Sequence, residues 1–185
     1  FVLGTAAGTL IAITLWWSPA INRVLDPYLV VLNALPKIAL GPILIVWFGA
    51  GITSIIVMAL LISFVVTIMS VLAGFNEITG EKQLLMKTLG ASKLQIFTMV
   101  VLPASLPTIM NALKISVGMS WVGVIVGEYL VSKAGLGYLI VYGGQVFKLD
   151  LVMASIVVLC LLAALMYYGV AYMEKKLVKW RMHGG

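Results

Sequence analysis

Covalent catalysis needs a nucleophile beside a base, paired carboxylates or a metal-ligand cluster, and this chain of 185 residues has none at motif spacing. It has one histidine, His183, two residues from the end, which reads as a tail residue rather than a ligand. The six acidic residues are scattered. The polar side chains concentrate instead between Asn76 and Pro103, in the stretch NEITGEKQLLMKTLGASKLQIFTMVVLP. The chemistry open to such a segment is noncovalent: a short amphipathic element presenting charge and leucine to something in water.

Its local signals predict a helix, a glycine turn and a second helix. Asn76 is expected to cap the first, with Glu77 in the first turn, favourably placed against the helix dipole. Ile78, Leu85 and Leu89 recur at helical spacing, with Glu81, Lys82 and Lys87 largely on other faces. Gly90 is a natural stop, and Ser92 with Gln95 three residues later forms a capping-box pair. Pro103 and Pro107 mark the return to apolar sequence. Two uses fit: an interfacial amphipathic hairpin without a partner, or a docking element.

The elements holding this segment are membrane spans. The chain is 63% hydrophobic and 10% charged, where ordinary domains carry about a quarter charged residues; its mean hydropathy is +1.16. About 20 apolar residues cross the roughly 30 Å hydrocarbon layer, and Ile52–Leu72 and Leu151–Met173 do so without a charge. Phe1–Trp17, ending in an interfacial tryptophan pair, the broken segment Ile38–Phe48 with Gly41-Pro42, and Ala104–Gly127 complete an expected five. Ser18–Lys37 is expected to be a polar loop, Gly49-Ala50-Gly51 a tight outer turn, and Glu128–Asp150 a long loop whose Ala134–Val146 portion can form a short helix. Phe1–Trp17 lacks a basic n-region and so does not resemble a signal peptide; a further span is expected before it. The fold class is therefore an all-α integral membrane protein, one domain over 1–185 with the polar segment 76–103 inside it.

The net charge of +6 does not point to nucleic acid, because the basic residues sit in short loops and at the C-terminal end. With alternating spans, nine Lys and Arg fall on the side of loop 18–37, segment 76–103 and the tail (Lys175, Lys176, Lys179, Arg181), against Lys133 and Lys148 on the other. The positive-inside rule places the polar segment and C-terminus in the cytoplasm. Lys114 lies within a span, where it can snorkel outward. Cys160 lies in mid-span and reads as a buried, inert thiol.

Ser116, Ser120, Gly123 and Gly127 form a small-residue stripe on Ala104–Gly127, suited to close helix packing or to a pore lining. Asn111 and Trp121 are candidate lining residues. Glu128 closes that span and reads as a solvated loop charge.

Gly90, nine residues, then Val100-Val101-Leu102-Pro103 resembles the E-A-A-x3-G-x9-I-x-L-P signature of permease subunits of bacterial ATP-binding-cassette importers. Leu89-Gly90-Ala91-Ser92, Leu102-Pro103-Ala104-Ser105-Leu106-Pro107, Asn33-Ala34-Leu35-Pro36-Lys37, Pro42, Trp47-Phe48-Gly49, Gly127-Glu128 and Gly135-Leu136-Gly137 are similar to the nitrate, sulfonate and taurine branch. The resemblance covers essentially all 185 residues. One departure is clear: Leu84, Leu85 and Met86 occupy the E-A-A positions, and Glu81 lies almost one turn earlier.

The resemblance implies a homodimeric permease in the bacterial inner membrane, served by an extracytoplasmic solute-binding protein and a cytoplasmic ATPase dimer. It implies a coupling set of Ile78, Glu81, Leu84, Leu85, Met86, Leu89, Gly90, Ala91, Ser92, Leu102 and Pro103. It also implies a pathway near the two-fold axis, with Asn111, Ser116, Ser120, Trp121, Gly123 and Glu128 as candidates, and it offers Glu128 the alternative of contacting the solute-binding protein. No cofactor is expected on this chain; ATP and Mg belong to the ATPase, and no G-x-x-x-x-G-K-[ST] loop is present here. The implied solute is small: a sulfonate, nitrate, taurine or a vitamin precursor. The competing class is a secondary transporter or channel without an ATPase, which usually carries several ionisable groups deep in its spans; here Lys114 alone is intramembrane.

Overall fold

A computed structural model describes residues 1–78, 80–131 and 133–178, with side chains to residue 176. Lys179, Arg181 and His183 lie outside the described residues. Helices α1 (Val2–Trp17), α2 (Pro19–Ala34), α3 (Gly41–Phe48), α4 (Ile52–Asn76), α5 (Gly80–Thr88), α6 (Lys93–Ile96), α7 (Leu102–Val131), α8 (Leu136–Gln145) and α9 (Leu149–Val178) follow in order, with no strand among the described residues. Among these residues, Ile52–Asn76, Lys93–Val131 and Leu149–Lys176 are long and apolar enough to cross a membrane. The pair Pro19–Ala34 and Lys37–Phe48, bent by 82°, makes a fourth if counted as one span. α1 is apolar but has 16 residues, about 24 Å at 1.5 Å per residue.

The centre is α4, packed between α1 and α7. Small residues set how closely they approach. On α1, Gly4, Gly8 and Ala12 recur every four residues and are buried; Gly4 faces Leu60 and Ser63, and Gly8 faces Thr67 and the Phe64 carbonyl. On α7, Gly123 meets the Ala59 backbone so tightly that a Cβ would overlap it, and a Cβ at Gly127 would stand 2.9 Å from the Ile55 Cα. In lipid, where apolar burial contributes little, such close approach and its dispersion contacts hold helices together. Hydroxyls reinforce the seam. Thr67 donates to the Ser63 carbonyl at 2.8 Å and lies 2.6 Å from the Ser116 hydroxyl. Ser105 lies 2.9 Å from the Gly74 carbonyl and 2.7 Å from that of Val101. α9 packs on α7, and α8 on both.

Several boundaries depart from expectation. The expected loop Ser18–Lys37 is largely the helix α2. The Ser18 hydroxyl accepts from the Ile21 N–H and Pro19 occupies the first turn, where its missing donor costs nothing. Pro36, which bars its predecessor from helical backbone, accompanies the break. Asn76 does not cap a new helix; it is the last residue of α4, and α5 begins at Gly80. α7 runs past Gly127 to Val131, so Glu128 lies inside it. Pro42 sits in the first turn of α3, after a 3-10 turn over Lys37–Leu40. Gly49 takes φ +79 in the turn between α3 and α4, and its carbonyl accepts from the Ser54 hydroxyl. Cys160, expected to be buried, is exposed on α9.

Candidate functional site

The polar hairpin is built by local hydrogen bonds. α5 carries Glu81 in its first turn and Lys87 in its last, each sign matched to the helix dipole. It ends in a Schellman motif: Ala91 N–H donates to the Met86 carbonyl and Gly90 N–H to that of Lys87, both at 3.0 Å. Gly90 accordingly sits at φ +81. Ser92 then closes a reciprocal capping box, its N–H donating to Gln95 Oε1 at 2.7 Å and its hydroxyl accepting from the Gln95 N–H at 3.3 Å.

The path from α6 into α7 passes through a π-helical turn, Phe97–Val101, where the Leu102 N–H donates to the Phe97 carbonyl. Pro103 explains the local widening, since it has no N–H to offer the carbonyl four residues back. Leu102 packs at the edge of the core. Glu77 Oε2 accepts from the Thr108 hydroxyl at 3.1 Å, fastening the end of α4 to α7.

The expected stripe of Ile78, Leu85 and Leu89 divides. Ile78 precedes α5 and packs against the core with Met86 and Ala91. Leu84 and Leu85 are each 62% exposed and Leu89 is 74% exposed. Glu81 lies three residues before Leu84, on the same face. One side of α5 is thus anchored and the other offers leucines and a carboxylate that makes no ion pair among the described residues.

The stripe on α7 faces inward. Ser116, Ser120 and Gly123 are buried with Gly127, and the contacts of Ser116, Gly123 and Gly127 are with α4. Ser116, Gly123 and Gly127 thus serve the α4–α7 packing. The open face of α7 is a different one: Asn111, Ile115, Gly118, Val122 and Tyr129 are exposed. Trp121 is half-buried. Its Nε1 and the Ser120 hydroxyl have no hydrogen-bond partner among the described residues.

Glu128 is half-buried rather than a solvated loop charge. It accepts from the Gly137 N–H at 2.7 Å, holding the start of α8 against α7. Gly135, at φ +112, lies against the same carboxylate with no room for a Cβ.

Lys114 does not snorkel free. Its ammonium pairs with Glu174 of α9 at 2.5 Å and lies 5.9 Å from the Tyr167 ring centroid. Sixty residues separate the partners, and no local pattern announces the pair.

A family model described as "Binding-protein-dependent transport system inner membrane component" matches residues 4–179. The chain is 32% identical over 177 residues to the taurine transport system permease protein TauC of Escherichia coli (strain K12), covering 96% of this chain and 64% of that protein. It is 31% identical over 179 residues to the formylaminopyrimidine transport permease protein ThiX of Halalkalibacterium halodurans, covering 97% and 72%. Over 160 residues it is 29% identical to the riboflavin transport system permease protein RibX of Chloroflexus aurantiacus, covering 86% and 60%.

Proposed function

The chain belongs to the family of binding-protein-dependent transport system inner membrane components, and we propose that it is the permease subunit of an ATP-driven importer, coupled through α5 to a separate ATPase. The observation that carries this reading is the exposed face of Leu84, Leu85 and Leu89 on a helix capped at Gly90 and joined to the two central helices. Exposed leucines on a short, anchored helix suit a groove on a water-soluble partner. A push on α5 reaches α4 through Glu77 and α7 through the continuous helix from Lys93. ATP and Mg then act on the ATPase, and this chain moves in response.

Two copies are proposed to enclose the pathway between them. The open face of α7, with Asn111 and Gly118 among apolar neighbours, is the better candidate for its lining than the buried stripe. An amide facing lipid at that depth is costly, and a water-filled path removes the cost. Trp121 and Ser120 border this helix's α9 side, and Glu128 holds the outer helix α8. The binding protein is placed on the outer side. The solute class is small and polar, by analogy with relatives named for taurine, formylaminopyrimidine and riboflavin.

Leu85→Asp tests the docking role. A carboxylate at the centre of an apolar contact lowers association with the ATPase by on the order of tenfold or more. Membrane abundance is expected to stay normal, because Leu85 is exposed. Co-purification of the ATPase and uptake are the measurements. Undiminished uptake by the variant sinks the coupling role and favours a transporter or channel that works without an ATPase.

The proposed orientation puts α5 and the C-terminal end in the cytoplasm, following the charge bias. A C-terminal reporter active only outside the cytoplasm is expected to stay silent; activity inverts the topology and removes the ATPase from reach of α5.

A further inference from the structure

A cavity of about 400 Å³ lies between the α1–α2 corner and the hairpin, lined by Trp16, Asn22, Asn76, Gln83, Lys87 and Lys93, with no acidic residue in its wall. Its size falls within the range of small-ligand sites. Two cations and three amides converge there from α2, α4, α5 and α6. Among the described residues, Lys87 makes no ion pair. The Lys93 ammonium is held in place, donating to the Trp17 carbonyl and standing 5.7 and 5.4 Å from the Trp16 and Trp17 ring centroids. An ammonium has three donors, so others remain free for a ligand. Asn22 Oδ1 is buried in this wall with no hydrogen-bond partner among the described residues, and a buried acceptor in that state is open to a donor from a bound ligand.

We propose that this cavity binds a phosphate group carrying a neighbouring hydroxyl, a glycerophosphate-type ligand, and that its occupancy sets the angle of α5 against the membrane body. The lysines and amide N–H groups meet the phosphate oxygens as charge-assisted and neutral hydrogen bonds. The ligand hydroxyl satisfies Asn22. Trp16 and Trp17 place the cavity at headgroup depth, and basic pockets between helices on the cytoplasmic side recognise anionic lipid headgroups. A bound phosphate joins Asn22 of α2 to Gln83 and Lys87 of α5 and to Lys93, where the long helix into α7 begins. The regulatory consequence rests on the proposed docking role of α5; the binding itself does not.

The test uses the purified complete transporter and native mass spectrometry. In one arm it is exposed to phosphatidylglycerol or phosphatidylcholine, in the other to soluble glycerol 3-phosphate with a thermal-shift readout. The variants are the double substitution Lys87→Gln with Lys93→Gln, and separately Asn22→Leu, which keeps the volume and removes the amide.

Retention of phosphatidylglycerol over phosphatidylcholine, weakened at least about tenfold in the double variant, identifies a lipid source. A lysine-dependent rise in Tm with glycerol 3-phosphate and no lipid preference identifies a soluble one. Leu85→Asp, which removes the ATPase, is expected to keep this binding, so the two proposals fail separately. Absence of binding in both arms, or equal binding by wild type and variants, overturns the site.

Discussion

Gly90→Val is expected to lower uptake and ATPase co-purification about tenfold while membrane levels stay near those of wild type. Gly90 has φ +81 and nothing lies within 4 Å of a Cβ built there. The penalty is therefore backbone strain and not collision. A left-handed conformation costs an L-residue about 1–2 kcal/mol, which corresponds to roughly a tenfold loss of the capped state. A β-branched side chain sits at the upper end. α5 has nine residues, and a helix that short has little stability of its own to absorb the loss of its Schellman bonds. The spans do not depend on this turn. Gly90→Asn, which tolerates the left-handed region, is expected to retain most of the uptake. Equal loss in both variants shows that strain is not the cause, and wild-type uptake by Gly90→Val shows that the hairpin does not transmit force.

Gly123→Val is expected to have the opposite signature: too little folded protein in the membrane to assay. The Cβ would overlap the Ala59 Cα, with the Ala59 nitrogen 3.1 Å away. Both atoms are backbone, so no side-chain rotation relieves the clash, and α4 and α7 must separate along their whole seam. Overpacking costs about 1–3 kcal/mol where neighbours can adjust; here they cannot, and the seam also loses the Thr67–Ser116 bond. Gly118→Val is the control, because nothing lies within 4 Å of its Cβ. It is expected to fold, and any uptake defect it shows then concerns the open face of α7. Measuring the thermal stability of detergent-extracted protein separates the two. A stable Gly123→Val overturns the α4–α7 seam.

These substitutions also separate what was readable residue by residue from what was not. Helix ends governed by nearest neighbours were legible: Gly90 as a stop, Ser92 with Gln95 as a capping box, and Gly49 in the turn before α4 all need partners within a few positions. α2 was misread although its signal was present. Ile21, Val24, Leu25, Tyr28, Leu29 and Leu32 recur at helical spacing, but Arg23, Asp26 and Pro27 weighed toward a loop. Pro27 is tolerated inside that helix. Asn76 is a good cap by type, yet the packing of α4 carried its helix past the expected end, with Phe75 fully buried at its last turn.

Membrane character, the central polar hairpin and the family resemblance were determined by the sequence itself, because apolar run length, turn chemistry and motif spacing are one-dimensional properties. Tertiary structure alone decided that Ser116, Gly123 and Gly127 of α7 pack on α4, leaving Asn111 and Gly118 on the open face. It alone paired Lys114 with Glu174, turned Glu128 onto Gly137, and gathered Asn22, Lys87 and Lys93 around one cavity. The physical reason is that a helix has several faces and the sequence states only their composition. Which face is buried depends on the shape and polarity of a neighbour that the chain brings alongside only when it folds.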